Sequence, residues 1–133
     1  MTSTPAERSL YAAARQARRF AQCRYSGFAV GAALRTKTDK IYTGCNIENV
    51  SYGLTVCAER VALLKALSEG STEFRQIAIV ADTRKPTPPC GPCRQLLWEY
   101  GGDLVILLGN LERLLARHRL ADLLPHPFDA RLL

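Results

Sequence analysis

Two short and almost entirely apolar runs, separated by a segment of helix-forming residues, constrain the fold of this chain most strongly. The runs are Gln76–Ala81 and Asp103–Leu108, and the helical pattern between them spans Cys93–Tyr100, entered through Pro92. An apolar run without polar alternation is typical of a strand buried in a parallel sheet. Because parallel neighbours need a crossover connection, commonly a helix, the sequence predicts an α/β sheet covered by helices.

Upstream of these runs, the sequence predicts a helix, a hairpin and a second helix. Apolar residues recur at helical spacing over Pro5–Gln22. Two apolar runs, Phe28–Leu34 and Ile41–Cys45, flank the polar turn Thr36–Lys40, a pattern typical of a β-hairpin. Good helix formers follow over Val56–Ser68. This element order predicts a three-layer α/β/α fold with a mixed sheet, in which an antiparallel hairpin is joined to parallel crossover strands.

The second helix and the end of the chain are unusual. Val56–Ser68 is apolar on most of its sides, so it belongs in a core or between subunits. Residues 111–124, with the sequence LERLLARHRLADLL, have high helix propensity. The predicted sheet, however, still lacks a covered edge at that point. Local pattern alone therefore predicts a helix there and leaves the sheet incomplete.

Length and composition indicate one domain over residues 1–133. Of these 133 residues, 47% are hydrophobic and 23% are charged, which is typical of a globular domain. The first residues lack the basic and then apolar pattern of a secretory signal. No later apolar run approaches the roughly 20 residues that span a bilayer. We therefore expect a cytoplasmic protein without membrane contacts.

The positive net charge makes nucleic acid a partner to consider. The charge of +6 comes from 18 Lys and Arg against 12 Asp and Glu. The only aromatic residues near the basic groups that could stack on bases are Phe20 and Tyr25. Solvated helical surfaces explain this distribution better, so no nucleic-acid partner is expected. The basic groups are Arg15, Arg18, Arg19 and Arg24, and Arg113, Arg117 and Arg119.

Cysteine usage indicates metal or catalytic chemistry rather than disulfides. The count of five is odd, and a cytoplasmic compartment is reducing. Three cysteines lie in two short clusters, Cys57-Ala-Glu59 and Pro89-Cys90-Gly-Pro-Cys93, each at a predicted helix start. Unpaired N–H groups and the positive end of the helix dipole stabilise thiolates there, so both clusters could hold one divalent cation. Cys23 and Cys45 are expected to be small apolar side chains.

Two side chains beside Cys57 would support catalysis at such a metal. Glu59 shares the helix start without needing to ligate, so it can carry protons between water and a substrate. Arg60, one helical turn after Cys57, is expected to hydrogen-bond the ligand sulfurs and offset the negative charge of three thiolates. An open fourth coordination position would hold water and lower its pKa to about 7.

Other uses of the same residues stay open at this point. A closed structural zinc site would need a fourth ligand such as Cys45, His118 or His126. A redox dithiol at Cys90 and Cys93 would also explain the C-x-x-C motif. The motif alone does not decide between them, because redox pairs and structural zinc sites share it.

Longer motifs surround these clusters and identify a family. The motifs, from about Leu10 to about Phe128, are Tyr25–Leu34 (YSGFAVGAAL), Gly44–Asn49 (GCNIEN), Cys57–Arg60 (CAER) with Ser68–Gly70 (SEG) downstream, and Pro89–Gln95 (PCGPCRQ). On these motifs the chain resembles the small homotetrameric cytidine deaminases of the cytidine and deoxycytidylate deaminase superfamily. The pairing of C-x-E with C-x-x-C is the signature of zinc deaminases, an association known from that superfamily and not from the spacing itself.

The resemblance implies a metal and catalytic set. Cys57, Cys90 and Cys93 would bind one Zn²⁺ per subunit, Glu59 would be the catalytic proton shuttle, and Arg60 would support the sulfur ligands.

The resemblance also implies substrate contacts. Asn46 and Glu48 would hold the ribose 3′-hydroxyl, for which an amide and a carboxylate are suitable partners. Phe28 would pack on the pyrimidine, and the backbone around Ala58 would hydrogen-bond the base. Phe128 would reach into the site of a neighbouring subunit of a homotetramer.

The family fold further implies an ending for the chain. It has about five strands, so a last short strand near Glu112–Arg117 and a brief helix at Ala121–Leu124 are expected, and Tyr52 matches a subunit-interface tyrosine. The chain departs from the family pattern in two places: Arg24 stands where a proline is common, and Arg119-Leu120 replaces a more strand-like pair. These departures concern the geometry of a loop and of the edge strand.

The implied reaction is hydrolytic deamination of cytidine and deoxycytidine to uridine and deoxyuridine plus ammonia, in pyrimidine salvage. Zinc-bound hydroxide would attack C4 while Glu59 moves the protons. The GCNIEN segment favours a nucleoside over a cytosine-bearing antibiotic such as blasticidin, whose deaminases lack that ribose segment. A nucleic-acid editor would need room for flanking nucleotides, and no channel is evident in this short chain. A zinc-stapled binding module would need four protein ligands and would show no turnover.

Overall fold

The computed structural model describes residues 1–133 as a five-stranded sheet with four α-helices. The elements, in chain order, are α1 (Pro5–Ala17), β1 (Val30–Thr36), β2 (Ile41–Cys45), α2 (Ala58–Ser68), β3 (Phe74–Ala81), α3 (Gly91–Gly101), β4 (Val105–Gly109), β5 (Leu114–Arg119) and α4 (Leu120–Leu123). None of these helices has both the length and the apolar character that crossing a bilayer requires.

The sheet is mixed, with the strand order β2-β1-β3-β4-β5. β1 is antiparallel to both β2 and β3, β3 and β4 are parallel, and β5 is antiparallel to β4. Because β2 and β3 both oppose β1, they run in the same direction, and α2 is a crossover between them. This confirms the predicted hairpin and crossover connections. The topology also places the start of β1 beside the carboxyl ends of β2 and β3.

Helices cover both faces of the sheet, as the three-layer prediction requires. α1 packs on one face around Leu10 and Ala14, while α2 and α3 pack on the other around Leu63 and Leu97. The start of α2 lies very close to β2, since a Cβ at Gly44 would be 2.5 Å from the Ala58 carbonyl oxygen. Only glycine permits this approach, which fixes the depth at which the start of α2 meets the sheet.

Several element boundaries differ from the sequence-based expectations. The first helix ends at Ala17 and continues as a 3₁₀ turn over Arg18–Phe20. β1 begins at Val30, so Phe28 lies in the preceding loop. Local propensity after Gly109 predicts a helix, and this prediction is wrong for Leu114–Arg119. These residues form β5, which pairs with β4 and completes the sheet.

The last strand also begins later than the expected Glu112. Asn110 forms a turn there: its side-chain Oδ1 accepts hydrogen bonds from the N–H groups of Glu112 and Arg113, each at 2.9 Å. Its own N–H donates to the Arg113 carbonyl oxygen at 3.0 Å. This turn uses the residues up to Arg113, so pairing with β4 begins at Leu114.

Glu7 caps α1 and ties it to β5. Its carboxylate accepts from the Thr4 N–H at 3.0 Å while the Thr4 hydroxyl accepts from the Glu7 N–H, a capping box. Arg117 donates to both carboxylate oxygens at 2.8 Å, and only 7% of the Glu7 side chain is exposed. Burial raises the pKa of Glu7, but the hydrogen bonds from Thr4 and Arg117 outweigh it and hold that pKa below its ordinary value.

We expect Glu7→Gln to lower the free energy of unfolding by roughly 1–3 kcal/mol near neutral pH, because a charge-assisted pair is lost. The folded pKa of Glu7 lies below the unfolded value of about 4.3. Its contribution is therefore complete above that value and is lost as the pH falls through the folded pKa. Urea unfolding at about pH 7 and about pH 3 should show the difference from wild type shrinking in acid. The exposed Glu99→Gln is the control, and a difference independent of pH would contradict the assignment.

Candidate active site

Most of the predicted site residues lie at one end of the central strands, where β2 and β3 end and β1 begins. Phe28 precedes β1, Asn46 follows β2, and the loop after β3 leads to Cys90 at the start of α3. Together with the first residues of α2, these three segments line one cavity of about 190 Å³. The carboxyl ends of parallel strands are a common place for binding sites in α/β sheets, and β2 and β3 both end here.

The three motif cysteines come together in this structure. The Sγ atoms of Cys57 and Cys90 lie 3.9 Å apart, those of Cys90 and Cys93 lie 3.3 Å apart, and all three lie within 4.8 Å of one another. They come from two helices separated by β3, so the sheet topology is what joins them. No disulfide links any of the five cysteines.

Both helix starts favour thiolates. Cys57 is the N-cap residue of α2 and Cys90 that of α3, and neither helix start has a side-chain cap. The first N–H groups of both helices are therefore available to negative charge. A hydrogen bond from Cys93, together with bonds from Arg60 and Cys90, overcomes the effect of burial and lowers the pKa of Cys57 to about 5. The bond to Cys57 and burial raise the pKa of Cys93. One shared negative charge is thus already favoured among the three thiols.

The donor set fits a zinc ion. Zinc prefers thiolate ligands at about 2.3 Å in tetrahedral geometry, which places sulfurs roughly 3.8 Å apart. The observed separations of 3.3 and 3.9 Å bracket this value. The three side chains that were alternatives for a closed structural site, Cys45, His118 and His126, do not belong to the cluster. The cluster therefore offers three protein ligands, the number found in catalytic zinc sites.

Arg60 lies beside the sulfurs. Its Nη2 donates to the Thr55 carbonyl oxygen at 3.0 Å and lies 3.7 Å from Cys57 Sγ, within hydrogen-bonding distance for sulfur. The bond to Cys57 raises the pKa of Arg60. The guanidinium is thus placed to offset part of the negative charge that three thiolates would bring.

Glu59 is the one carboxyl group in the cavity. The residue is 5% exposed and lines the same wall as Cys57 and Cys90. Burial raises the pKa of Glu59, and the negative charge of Cys57 raises it further. A carboxyl group with a raised pKa next to a metal-binding cluster suits a general acid and base.

The substrate-contact residues predicted around the base also line this cavity. Phe28 is 43% exposed, and Ala58 is fully buried at the first turn of α2. Asn46 holds the loop that carries Phe28: its Nδ2 donates to the Phe28 carbonyl oxygen at 2.8 Å, and its Oδ1 accepts from the Val30 N–H at 2.9 Å. Asn46 therefore shapes the cavity wall, with one amide hydrogen left for a ligand.

Glu48 lines an adjoining cavity of about 420 Å³ with Tyr25, Ser26, Asn49, Tyr52 and Thr55. Thr55 lines both cavities, so the two are neighbours. The site thus has a narrow part beside the sulfurs and a wider, more open part beside Glu48.

Phe128 lies outside both cavities. Its side chain is 62% exposed, and its carbonyl oxygen accepts a hydrogen bond from Gln95 Nε2 at 2.7 Å. Tyr52 is 75% exposed and packs edge to face on Tyr25, with ring centroids 6.1 Å apart. Neither aromatic side chain is covered within this subunit.

Sequence reasoning missed part of the cavity wall. The residues that it did not assign are Val30, Thr55, Ile79, Thr87 and Pro88. Thr55 lies two residues before Cys57, and Thr87 and Pro88 lie just before the second cysteine cluster, so sequence proximity to the motifs could have indicated them. Ile79 reaches the cavity from the middle of β3, and no local signal distinguishes it from other buried strand residues.

Comparison with known proteins gives a consistent result. Residues 4–108 match the family model described as the cytidine and deoxycytidylate deaminase zinc-binding region. The cytidine deaminase of Halalkalibacterium halodurans is 51% identical over 116 residues, which cover 86% of this chain and 88% of that protein. The blasticidin-S deaminase of Bacillus cereus is 34% identical over 104 residues, covering 72% and 74%.

A solved structure extends the similarity to the whole fold. The crystal structure of cytidine deaminase from Burkholderia pseudomallei superposes with a TM-score of 0.89 at 44% identity, covering 96% of this chain and 100% of that one. The mixed sheet, the paired cysteine clusters and these similarities agree, and the chain belongs to the cytidine and deoxycytidylate deaminase family.

Proposed function

We propose that this chain catalyses the hydrolytic deamination of cytidine and deoxycytidine to uridine and deoxyuridine, with release of ammonia. The observation that carries the proposal is a cluster of three cysteines, two of which line one cavity together with a buried carboxyl group. The proteins with 51% and 44% identity, both named cytidine deaminase, support the substrate class.

Cys57, Cys90 and Cys93 would hold the zinc ion, one per subunit. Bound zinc supplies a Lewis acid that lowers the pKa of a coordinated water to about 7. Arg60 reduces the negative charge of the three sulfurs through its contact with Cys57.

Glu59 moves the protons. Its buried carboxylate accepts a proton from the attacking water and delivers it to N3 of the pyrimidine as water adds at C4. It then takes the remaining proton from the new hydroxyl on C4 and passes it to the amine, so that the C4–N bond breaks, ammonia leaves and the C4 carbonyl of the product forms. Because burial raises its pKa, the carboxyl group takes up a proton more readily than an exposed carboxylate does, which suits a proton carrier.

The two neighbouring cavities divide the substrate between them. The narrow cavity takes the base, with Phe28 against the ring and the backbone at Ala58 as hydrogen-bonding partner. The wider cavity takes the sugar, whose 3′-hydroxyl donates to Glu48, while Asn46 lines the narrow cavity.

We further propose that residues 1–133 act as a single catalytic domain in a cytoplasmic homotetramer that serves pyrimidine salvage. Phe128 and Tyr52 are large, exposed aromatic residues, and Leu64 on the apolar helix α2 is 49% exposed. Burying them against other copies would remove this apolar surface from water. In that assembly Phe128 would reach into a neighbouring site.

An ultraviolet assay tests the substrate assignment. The zinc-loaded protein is expected to deaminate cytidine and deoxycytidine at rates at least about 100-fold above its rate with blasticidin S. The relative named as a blasticidin-S deaminase, 34% identical, makes that antibiotic the necessary comparison. Turnover of the antibiotic without turnover of cytidine would overturn the proposal. Stoichiometric zinc without turnover of any substrate would indicate a binding module instead.

A further inference from the structure

The Glu48 carboxylate is held by three hydrogen bonds in this structure. Its Oε1 accepts from the N–H groups of Tyr25 at 3.0 Å and Ser26 at 3.1 Å. Its Oε2 accepts from the hydroxyl of Ser26. A carboxylate has about four acceptor positions, so three are used within the chain. The remaining position lies on Oε2, and Glu48 lines the wider cavity.

The direction of the Ser26 hydroxyl proton follows from its neighbours. The Phe28 N–H donates to Ser26 Oγ at 3.0 Å, so one lone pair of that oxygen is occupied. An ionised carboxylate only accepts, so the hydroxyl proton must lie on the bond to Glu48. The Ser26 hydroxyl bond is the largest influence that lowers the pKa of Glu48, which keeps the group ionised. Ser26 therefore links the wall that carries Phe28 to the carboxylate of the neighbouring cavity.

We propose that Ser26 is a positioning residue that leaves Glu48 a single free acceptor, aimed at the sugar 3′-hydroxyl. The role rests on the proposed nucleoside deamination and adds to it a residue that touches neither the base nor the sulfurs. Without the Ser26 hydroxyl, the two backbone bonds to Oε1 remain, but Oε2 is free to rotate toward solvent and to bind water instead of the sugar.

The test compares two substrates, with and without the 3′-hydroxyl, across four forms of the protein. Steady-state constants are measured for cytidine and 3′-deoxycytidine with wild type, Ser26→Ala, Glu48→Ala and the double variant. Ser26→Ala is expected to lower kcat/KM for cytidine about tenfold, mainly through KM, and to change kcat/KM for 3′-deoxycytidine by less than about twofold. Adding Ser26→Ala to Glu48→Ala is expected to cause no further loss.

Controls separate this role from a general effect on the fold. Ser68→Ala removes a hydroxyl that bonds only within its own helix, to the Lys65 carbonyl oxygen, and is expected to leave all constants unchanged. Ser26→Thr keeps a hydroxyl and is expected to stay within about threefold of wild type. Equal losses on both substrates, or a further loss in the double variant, would overturn the positioning role. Wild-type protein that deaminates neither substrate would overturn the proposed function itself.

Discussion

Replacing Glu59 by Gln is expected to lower kcat for cytidine by about 10²–10⁴-fold while zinc remains bound. Gln has nearly the same shape but cannot accept the proton of the attacking water. Glu59 is not a member of the sulfur cluster that would hold the metal. Ultraviolet loss of cytidine and metal analysis of the same sample measure the two quantities together.

The same helix offers a control for this substitution. Glu69 follows the last residue of α2 and is exposed, so Glu69→Gln removes a carboxylate from the far end of the helix. We expect its activity to stay within about twofold of wild type. The fold of Glu59→Gln should also be kept, because burial makes the charged form of Glu59 unfavourable in the native state. Turnover near the wild-type level in Glu59→Gln would mean that another group carries the protons.

Cys90→Ala is expected to reduce zinc content to less than about a tenth of an ion per subunit and to abolish turnover. With two thiols left, the cluster loses a ligand, and α3 would contact the metal through Cys93 alone. Metal that binds only the native state stabilises that state. The free energy of unfolding of the variant should therefore be roughly 2–4 kcal/mol lower than that of zinc-loaded wild type. Metal analysis and urea unfolding with and without a chelator measure this.

Another cysteine serves as the matched control. Cys23 is half-buried and lies outside the cluster, so Cys23→Ala should keep its zinc and its activity. A chelator should lower the stability of wild type and Cys23→Ala equally and leave Cys90→Ala unchanged. Full zinc binding by Cys90→Ala would show that a different set of residues holds the ion.

The chemistry of the site could be predicted from the sequence because it is concentrated in short segments. Cys57 and Glu59 lie two residues apart, as members of one helix start, and Cys90 and Cys93 share another. Residue types and spacing within such segments are local properties. What they could not supply was the distance between the clusters, which depends on β3 and on the way both helices pack against the sheet.

The part of the site around Glu48 depended more on tertiary structure. Glu48 was assigned through a resemblance, and nothing local indicated that Ser26, 22 residues earlier, would hold its carboxylate. Thr55 lines both cavities, a placement that no local sequence signal indicated. The exposure of Phe128 is also a tertiary result, since the C-terminal segment is held away from both cavities, in part by the bond to Gln95.

By itself the sequence determined the order of helices and strands as far as β4, the helix layers on both faces of the sheet and the cysteines of the cluster, because apolar periodicity and short cysteine motifs are local properties. It did not determine the state of residues 114–119, whose propensity favours a helix. There the unpaired edge of β4 decided the outcome: a strand satisfies its backbone groups, whereas a helix would leave them exposed. Only the tertiary structure brought three sulfurs from two helices within 4.8 Å, because that distance is set by packing across the sheet.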